Sequence, residues 1–420
     1  MKKILIIILL FLININHSFA GLVLQDVINI AIESNEELKA SEYSYKAARS
    51  EKLKSIGGFL PQISLNVDTG SRKTKIGENN RINDDVDKKR FSASQNIFNG
   101  FGTIFEVKKS NNIANKELAI KNSKIQEISL NVIRYYLDIL RYQHLIKVSG
   151  RNLKSQGRLL YYIDKKFKVK DSTKSELARA RADYIKAKND KLQNENNLFL
   201  VKSNLSRYSG IDISEINNLE DNFIFKKEDR NTEQLFKIAL ELNPQIQISK
   251  NSFLASKHQS NIAKSSLSPK VTLNFDISEE KNSLYLNNQK ERDTSIYLNF
   301  NVPIFNSGQN YFDIAANNNY KKKERFNYEA VKKQVYNSLI EYQNKISNYD
   351  ASYSSAKSLE RANRVYLNTL KQEERLGTKS IIELLEARQN FYDSQIQRIN
   401  IYYDRVYCYF EFKSLIAELL

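Results

Sequence analysis

Glycine and proline are scarce in this chain: it has 12 Gly and 4 Pro among 420 residues. Average usage would supply roughly three times as many. Tight turns depend on these two residues, so turns must be few and regular segments long. That excludes a doubly wound α/β enzyme and a many-stranded sandwich, both of which turn often. Cysteine is nearly absent too. Cys408 stands alone, which excludes a disulfide scaffold and a thiolate metal site. Also missing are a Gly-rich phosphate loop, a Cys/His nucleophile pair and any carboxylate–His cluster; His144 and His258 are isolated on helical patterns. The sequence therefore points to no enzyme, no cofactor and no metal. What is present is apolar material, 41% hydrophobic and 11% aromatic, enough to argue against disorder. A mainly α fold of long helices follows.

The first twenty residues read as a targeting segment. Lys2 and Lys3 precede an apolar run from Ile4 to Leu12, and Ser18 and Ala20 stand at the small-residue positions of a cleavage site. The expected signal peptide is 1–20. An uncleaved anchor is the alternative, opposed by the shortness of the run. Residue 21 is Gly, so lipid attachment at the new N-terminus is not expected, and the mature chain is exported. Lys plus Arg total 65 against 48 Asp plus Glu, leaving about +15 once the two leader lysines are removed. The basic residues are scattered along helical faces without a recognition motif, so no nucleic-acid partner is expected.

The chain repeats itself. Shifted by 208 positions, Ile30–Asp68 overlays Ile238–Asp276 without a gap, with Ile30, Ala31, Asn35, Pro61, Leu65, Asn66 and Asp68 among the identities. At a shift of 207, Phe98 and Asn99 meet Phe305 and Asn306. Glu176, Leu177, Ala180 and Arg181 then meet Glu383, Leu384, Ala387 and Arg388. A period this long is a duplicated unit and not a solenoid. The expected repeats are 21–230 and 231–420, joined near Gly210 to Asp229.

Each repeat changes its period twice. A helical pattern ends at Gly57-Gly58, and Pro61 opens an extended stretch in which Ile63, Leu65 and Val67 alternate with polar residues. The second repeat alternates more cleanly at Val271, Leu273, Phe275 and Ile277, and again at Ile296, Leu298, Phe300 and Val302. Strands are expected at about 61–69, 90–98, 269–278 and 294–304, with a polar loop between the first two from Thr69 to about Lys89. Pro303 falls within the last of these, where it would remove a ladder donor, so it is placed at a rim or bulge. Long helices follow each hairpin. No Gly or Pro interrupts the chain between Gly308 and Gly377, a run of roughly 100 Å at 1.5 Å per residue. Gly102 to about Lys170 matches it, and return helices are expected at about 173–207 and 380–418.

Four strands with one apolar and one polar face leave open edges and an uncovered apolar surface. About ten alternating residues suit a transmembrane β-strand, and the smallest such barrels have eight strands, so one chain cannot close a barrel. Protomers must share it; an ordinary soluble hairpin sheet is the alternative.

At this point the residues resemble the TolC-like outer membrane efflux proteins, over nearly the whole mature chain. The marks are Asn243-Pro244 between helices (Asn35-Glu36 in the first repeat), Leu60-Pro61-Gln62 and Ser268-Pro269-Lys270 before strands, and Gln95-Asn96-Ile97-Phe98-Asn99-Gly100 and Val302-Pro303-Ile304-Phe305-Asn306-Ser307-Gly308 after them. The most specific is Gly377-Thr378-Lys379-Ser380-Ile381-Ile382-Glu383-Leu384-Leu385-Glu386-Ala387. The resemblance implies a homotrimer whose protomers each give four strands to a twelve-stranded barrel, with a long antiparallel α-helical barrel crossing the periplasm. It implies an outer-membrane location in a Gram-negative bacterium, and a periplasmic adaptor and inner-membrane pump as partners in exporting drugs or secreted proteins. A non-conducting coiled-coil spacer anchored by the hairpins is the alternative.

The resemblance also assigns roles. Gly377 and Thr378 form the periplasmic tip turn. Glu383 and Glu386, at i and i+3 on one helix face, are implied to form carboxylate rings at the aperture, although without the resemblance they read as an ordinary solvated face. Lys379 is implied to latch the closed tip, with Glu176 as its partner. Two departures stand out. Glu374 replaces an aromatic three residues before the tip Gly, while the first repeat keeps Phe167 but has Lys170 in place of the Gly. That leaves room for a rewired latch in which Glu374 reaches a basic neighbour. The chain ends soon after the last expected helix, so any later part of the family's equatorial belt is expected to be short.

Overall fold

A computed structural model describes residues 23–419 apart from 77–79, 215, 217–218, 221–222, 224–227 and 284–285. The expected signal peptide lies outside the described residues. Eight helices and four strands are formed by the described residues. The first six elements are α1 (Leu24–Ser34), α2 (Glu36–Gly57), β1 (Gln62–Ile76), β2 (Asn80–Phe98), α3 (Gly102–Lys168) and α4 (Lys174–Ser209). Then come α5 (Thr232–Leu242), α6 (Pro244–Ser265), β3 (Lys270–Ser283), β4 (Leu286–Asn301), α7 (Gln309–Arg375) and α8 (Ile381–Leu415). Element order repeats, and so do lengths: α1 and α5 have 11 residues, α2 and α6 have 22, and α3 and α7 have 67. At about 1.5 Å per residue the last pair each run roughly 100 Å.

The repeats end their helices alike. Pro244 opens α6 at the first helical position, where its missing N–H costs no intrahelical bond. In the first repeat the side chain of Asn35 does that work, its Oδ1 accepting from the N–H of Leu38 at 2.9 Å. Capping boxes start α4, α5 and α8.

The chain divides into two compact units, and each draws on both repeats. One comprises residues up to Lys39, Asn122–Asn243 and Gln334–Leu420. Its main core packs Val27, Ile28 and Ala31 of α1 with Ile128, Val132 and Tyr136 of α3 and with Ile399, Tyr403 and Val406 of α8. Each such side chain contributes roughly 1.5–3 kcal/mol when fully buried. Tyr136 is completely buried, and its hydroxyl donates to the Glu220 carbonyl at 2.9 Å.

The other unit, Ala40–Lys121 and Pro244–Lys333, carries the sheet. Strand order is β1-β2-β3-β4, antiparallel throughout, leaving β1 and β4 with one partner each. Register brings the apolar residues to one face: Leu65 opposite Phe91, Phe91 opposite Ile277, Phe275 opposite Ile296 and Leu273 opposite Leu298. That face is uncovered in the protomer, with Leu65 68% and Ile296 72% exposed. On the opposite face serine hydroxyls pair with polar side chains across strands, Ser92 donating to the Asp276 carboxylate at 2.6 Å and Ser94 to the Asn274 amide oxygen at 2.9 Å.

The strands are longer than the alternation predicts. β1 runs to Ile76 and β2 begins at Asn80, so the expected loop from Thr69 to Lys89 is mostly strand. Most of its pairs are polar or charged, such as Ser71 opposite Asp85, and Lys88, opposite Asp68, reaches Glu280 of β3 at 3.1 Å. Ladder hydrogen bonds and cross-strand charges carry pairing past the apolar stretch, and neither leaves a hydrophobic period. β4, by contrast, stops at Asn301. Pro303 therefore follows the strand and removes no ladder donor. The register shift in the β2–β3 pairing lies between Asn96 and Phe98.

Pro61 and Pro269 immediately precede β1 and β3, as Gly100 and Gly308 follow β2 and β4. Each of these exits has two successive left-handed residues, Gly100-Phe101 and Ser307-Gly308, so the glycine occupies the first position in one repeat and the second in the other. Gly100 is constrained by space as well, since a Cβ there would lie 2.3 Å from the Ser268 Cβ.

Candidate functional site

The two long hairpins turn at equivalent places, between α3 and α4 and between α7 and α8. Both turns close by the same hydrogen bonds. Thr378 N–H donates to the Glu373 carbonyl and Gly377 N–H to Glu374, each at 3.0 Å; Asp171 N–H donates to Lys166 at 2.8 Å and Lys170 N–H to Phe167 at 3.0 Å. This paired pattern is a Schellman ending, which needs a left-handed residue at its hinge. Gly377 supplies it at φ 75°, and Lys170 adopts the same conformation at φ 62°. The first repeat thus keeps the turn without the glycine.

Beneath the turns, matching residues from the two repeats form one cluster. Ile163 and its counterpart Leu370, Leu177 and Leu384, and Ala180 and Ala387 all belong to it. The leucine and alanine identities at this point of the repeat are therefore core positions shared by both hairpins.

Glu383 and Glu176 have the same local role. Glu383 accepts from Ser380 N–H at 3.2 Å while Ser380 Oγ accepts from Glu383 N–H at 3.2 Å. Glu176 does likewise with Thr173, at 2.7 and 3.2 Å, and also accepts from the Ser172 hydroxyl at 2.8 Å. The Thr173 N–H, then the Ser172 hydroxyl, hold the Glu176 carboxyl below its usual range. These are capping boxes. Their signature, Ser or Thr followed by Glu three residues on, is present in the sequence and went unread there.

Lys379 and Glu176, expected as a latch pair, form no ion pair with each other among the described residues. Lys379, in the turn, reaches Glu383 in the first turn of α8 at 3.5 Å, and the Glu176 carboxylate is occupied by its cap. Glu386 is exposed and makes no ion pair among the described residues. The link between hairpins falls elsewhere. Lys166 of α3 lies 3.7 Å from Glu374 of α7, whose side chain is only 8% exposed. At the first departure a carboxylate stands where an aromatic was expected, and a lysine faces it.

Around Glu374 the charge is predominantly positive. The Arg388 guanidinium donates to the Ser155 hydroxyl, while its Nε has no hydrogen-bond partner. Burial, then neighbouring Arg158, weakens its hold on its proton, and Glu374 opposes this. Lys371 is lowered too, by burial and then by Arg388, Arg375 and Arg158. Sequence spacing does not reveal this cluster, because its members come from α3, α7 and α8. Elsewhere His144 is bonded through Nδ1 to the Tyr403 hydroxyl at 2.9 Å, and His258 stacks on Phe105. Among the described residues no group of three or more His, Cys, Asp or Glu is placed to hold a metal.

Paired helices about 100 Å long, together with a four-stranded sheet whose apolar face and both edges are open, define an outer-membrane channel with an α-helical wall and a β-barrel. The profile of the family described as Outer membrane efflux protein matches residues 27–210 and 235–407, and the chain belongs to that family. It is 22% identical over 413 residues to outer membrane protein TolC of Vibrio cholerae, across 94% of this chain and 91% of that protein. In fold it is similar to the CmeC outer membrane channel of Campylobacter jejuni, with a TM-score of 0.84 at 18% identity over 94% of this chain and 86% of that one. The outer membrane protein VceC of Vibrio cholerae is similar as well, with a TM-score of 0.83 at 14% identity over 94% and 95% of the two chains. The chain is an outer-membrane protein.

Proposed function

We propose that three copies of this chain close one twelve-stranded barrel, continued by their helices into a periplasmic duct, and that the duct passes cargo delivered by an inner-membrane pump through an adaptor protein. The observation that carries this reading is the sheet itself: one apolar face, and two edges, β1 and β4, that a neighbouring copy can pair. Helices of matched length in the two repeats let neighbouring copies continue a regular wall. Energy then comes from the pump, because the duct holds no chemistry of its own.

The hairpin turns gate this duct. Glu386, exposed and unpaired, and Glu383, anchored by its capping box, become two rings of three carboxylates under threefold symmetry. Such rings attract cations and repel each other. Lys379 tempers Glu383 from the adjoining turn. The latch is Lys166–Glu374, which joins the two hairpins of one protomer through a mostly desolvated carboxylate.

Purified protein in planar bilayers tests the proposal. Discrete conductance from a trimer by native mass spectrometry is expected, with cation preference reduced in Glu383→Gln/Glu386→Gln as read from reversal potentials in a salt gradient. Absence of any conductance, in the wild type and in latch variants alike, would leave the non-conducting spacer.

A further inference from the structure

We infer that the protein binds small aromatic anions in a cavity formed by α3, α7 and α8, apart from the hairpin turns. The cavity has a volume of about 440 Å3, within the range of small-molecule pockets. It lies wholly within the unit that holds the main core.

Two features of its lining define the ligand. The first is aromatic surface. Tyr353 and Tyr402 have ring centroids 5.7 Å apart, and Tyr402 meets Tyr403 edge-on at 5.0 Å. Tyr403 is fully buried behind Tyr402 and fixed by its bond to His144, so the rings of Tyr353 and Tyr402 are held as a preorganised wall against which a planar group can stack.

The second is uncompensated positive charge. Each carboxylate in this neighbourhood already has its cation. Glu360 is held by Arg398 and Arg364, Asp404 by Arg141, and Asp350 by Arg405. Lys147 and Arg151, four residues apart on one face of α3 and both lining the cavity, have no carboxylate among the described residues. Arg398, fixed by Glu360, completes a basic rim with them. A ligand that satisfies both features has a planar aromatic body and a carboxylate, sulfonate or phosphate group. A cation is repelled by the rim, and an anion without a ring leaves the tyrosine wall unused.

This inference does not depend on the duct reading, since it needs only the packing of three helices. The chain contains no Trp, so naphthalene fluorescence can be followed without indole background. Naphthalene-1-sulfonate, naphthalene-1-methylamine and inorganic phosphate are each titrated into the purified full-length protein in detergent. Lys147→Gln/Arg151→Gln and Tyr353→Leu are run in parallel to subtract micelle partitioning. Saturable binding of the sulfonate is expected, at least tenfold tighter than of the amine or of phosphate. It should weaken at least tenfold in the double variant and severalfold in Tyr353→Leu. Lys147 and Arg151 are exposed, so the double variant folds, and unchanged helical circular dichroism checks this. Equal affinity of the sulfonate for wild type and double variant, or binding of the amine or phosphate as tight as the sulfonate, would overturn the inference, as would no saturable binding at all.

Discussion

Lys166, near the end of α3, and Glu374, near the end of α7, meet at 3.7 Å, with the glutamate side chain 8% exposed. Removing one partner strands the other charge in a poorly solvated place, which costs more than losing a surface pair.

Lys166→Met is therefore expected to weaken the closed arrangement of the hairpins by about 1–2 kcal/mol. On the proposed gating, 1.4 kcal/mol is about a tenfold rise in open population at rest. The exchanged variant Lys166→Glu/Glu374→Lys should not recover it, because a lysine at 374 joins the positive cluster around Arg388 and a glutamate at 166 faces Asp171. Single-channel recordings check this, and a silent Lys166→Met would argue against a latch at this pair.

Lys170 adopts a left-handed backbone that costs a non-glycine residue about 1 kcal/mol. Lys170→Gly should raise the urea midpoint by the equivalent of about 0.5–1 kcal/mol. Gly377→Ala, at φ 75° with open space around its Cβ, should lower it by a similar amount from backbone strain alone.

Gly100→Ala combines strain with collision, because its Cβ would meet Ser268 at 2.3 Å across the approach to β3. A loss of about 2–4 kcal/mol is expected, seen as poor recovery of folded protein. Gly57→Ala, with nothing within 4 Å of its Cβ, should be neutral or slightly stabilising.

Stability in acid should depend on Arg230. It bonds Glu228 at 2.6 and 2.8 Å and Glu418 at 2.6 and 2.9 Å, and Lys413 reaches Glu418 at 2.7 Å. Hydrogen bonds from Arg230 depress both carboxyls to about 2 from the usual 4.5. Because the folded-state values lie below the unfolded ones, this stabilisation is complete above pH 4.5 and is lost as pH falls toward 2. Solvent screening at Glu418, 35% exposed, limits the effect to about 1–2 kcal/mol in all. Arg230→Ala should remove it, flattening the dependence of thermal unfolding on pH across that window.

Where the two kinds of reading agree, local rules were sufficient. A shortage of Gly and Pro became two helices of 67 residues, and alternation at Ile63, Leu65 and Val67 became a strand with an uncovered apolar face. Where they part, the cause is an interaction without a sequence period. β1 and β2 extend because polar ladders pair, and Pro303 is spared because β4 ends first. Glu176 appeared to be a latch residue by its place in the repeat, yet its carboxylate is held three residues away by its own helix start.

By itself the sequence determined the internal similarity, the long helices and the strand faces. These follow from spacing along one chain, which is all that periodicity records. The tertiary structure alone decided which charges meet. Lys166 and Glu374 are 208 positions apart, and Arg388, Ser155, Arg158 and Lys371 come together from three helices. Coulomb and hydrogen-bond energies depend on distance in space, and packing of the matched residues beneath the two turns sets that distance.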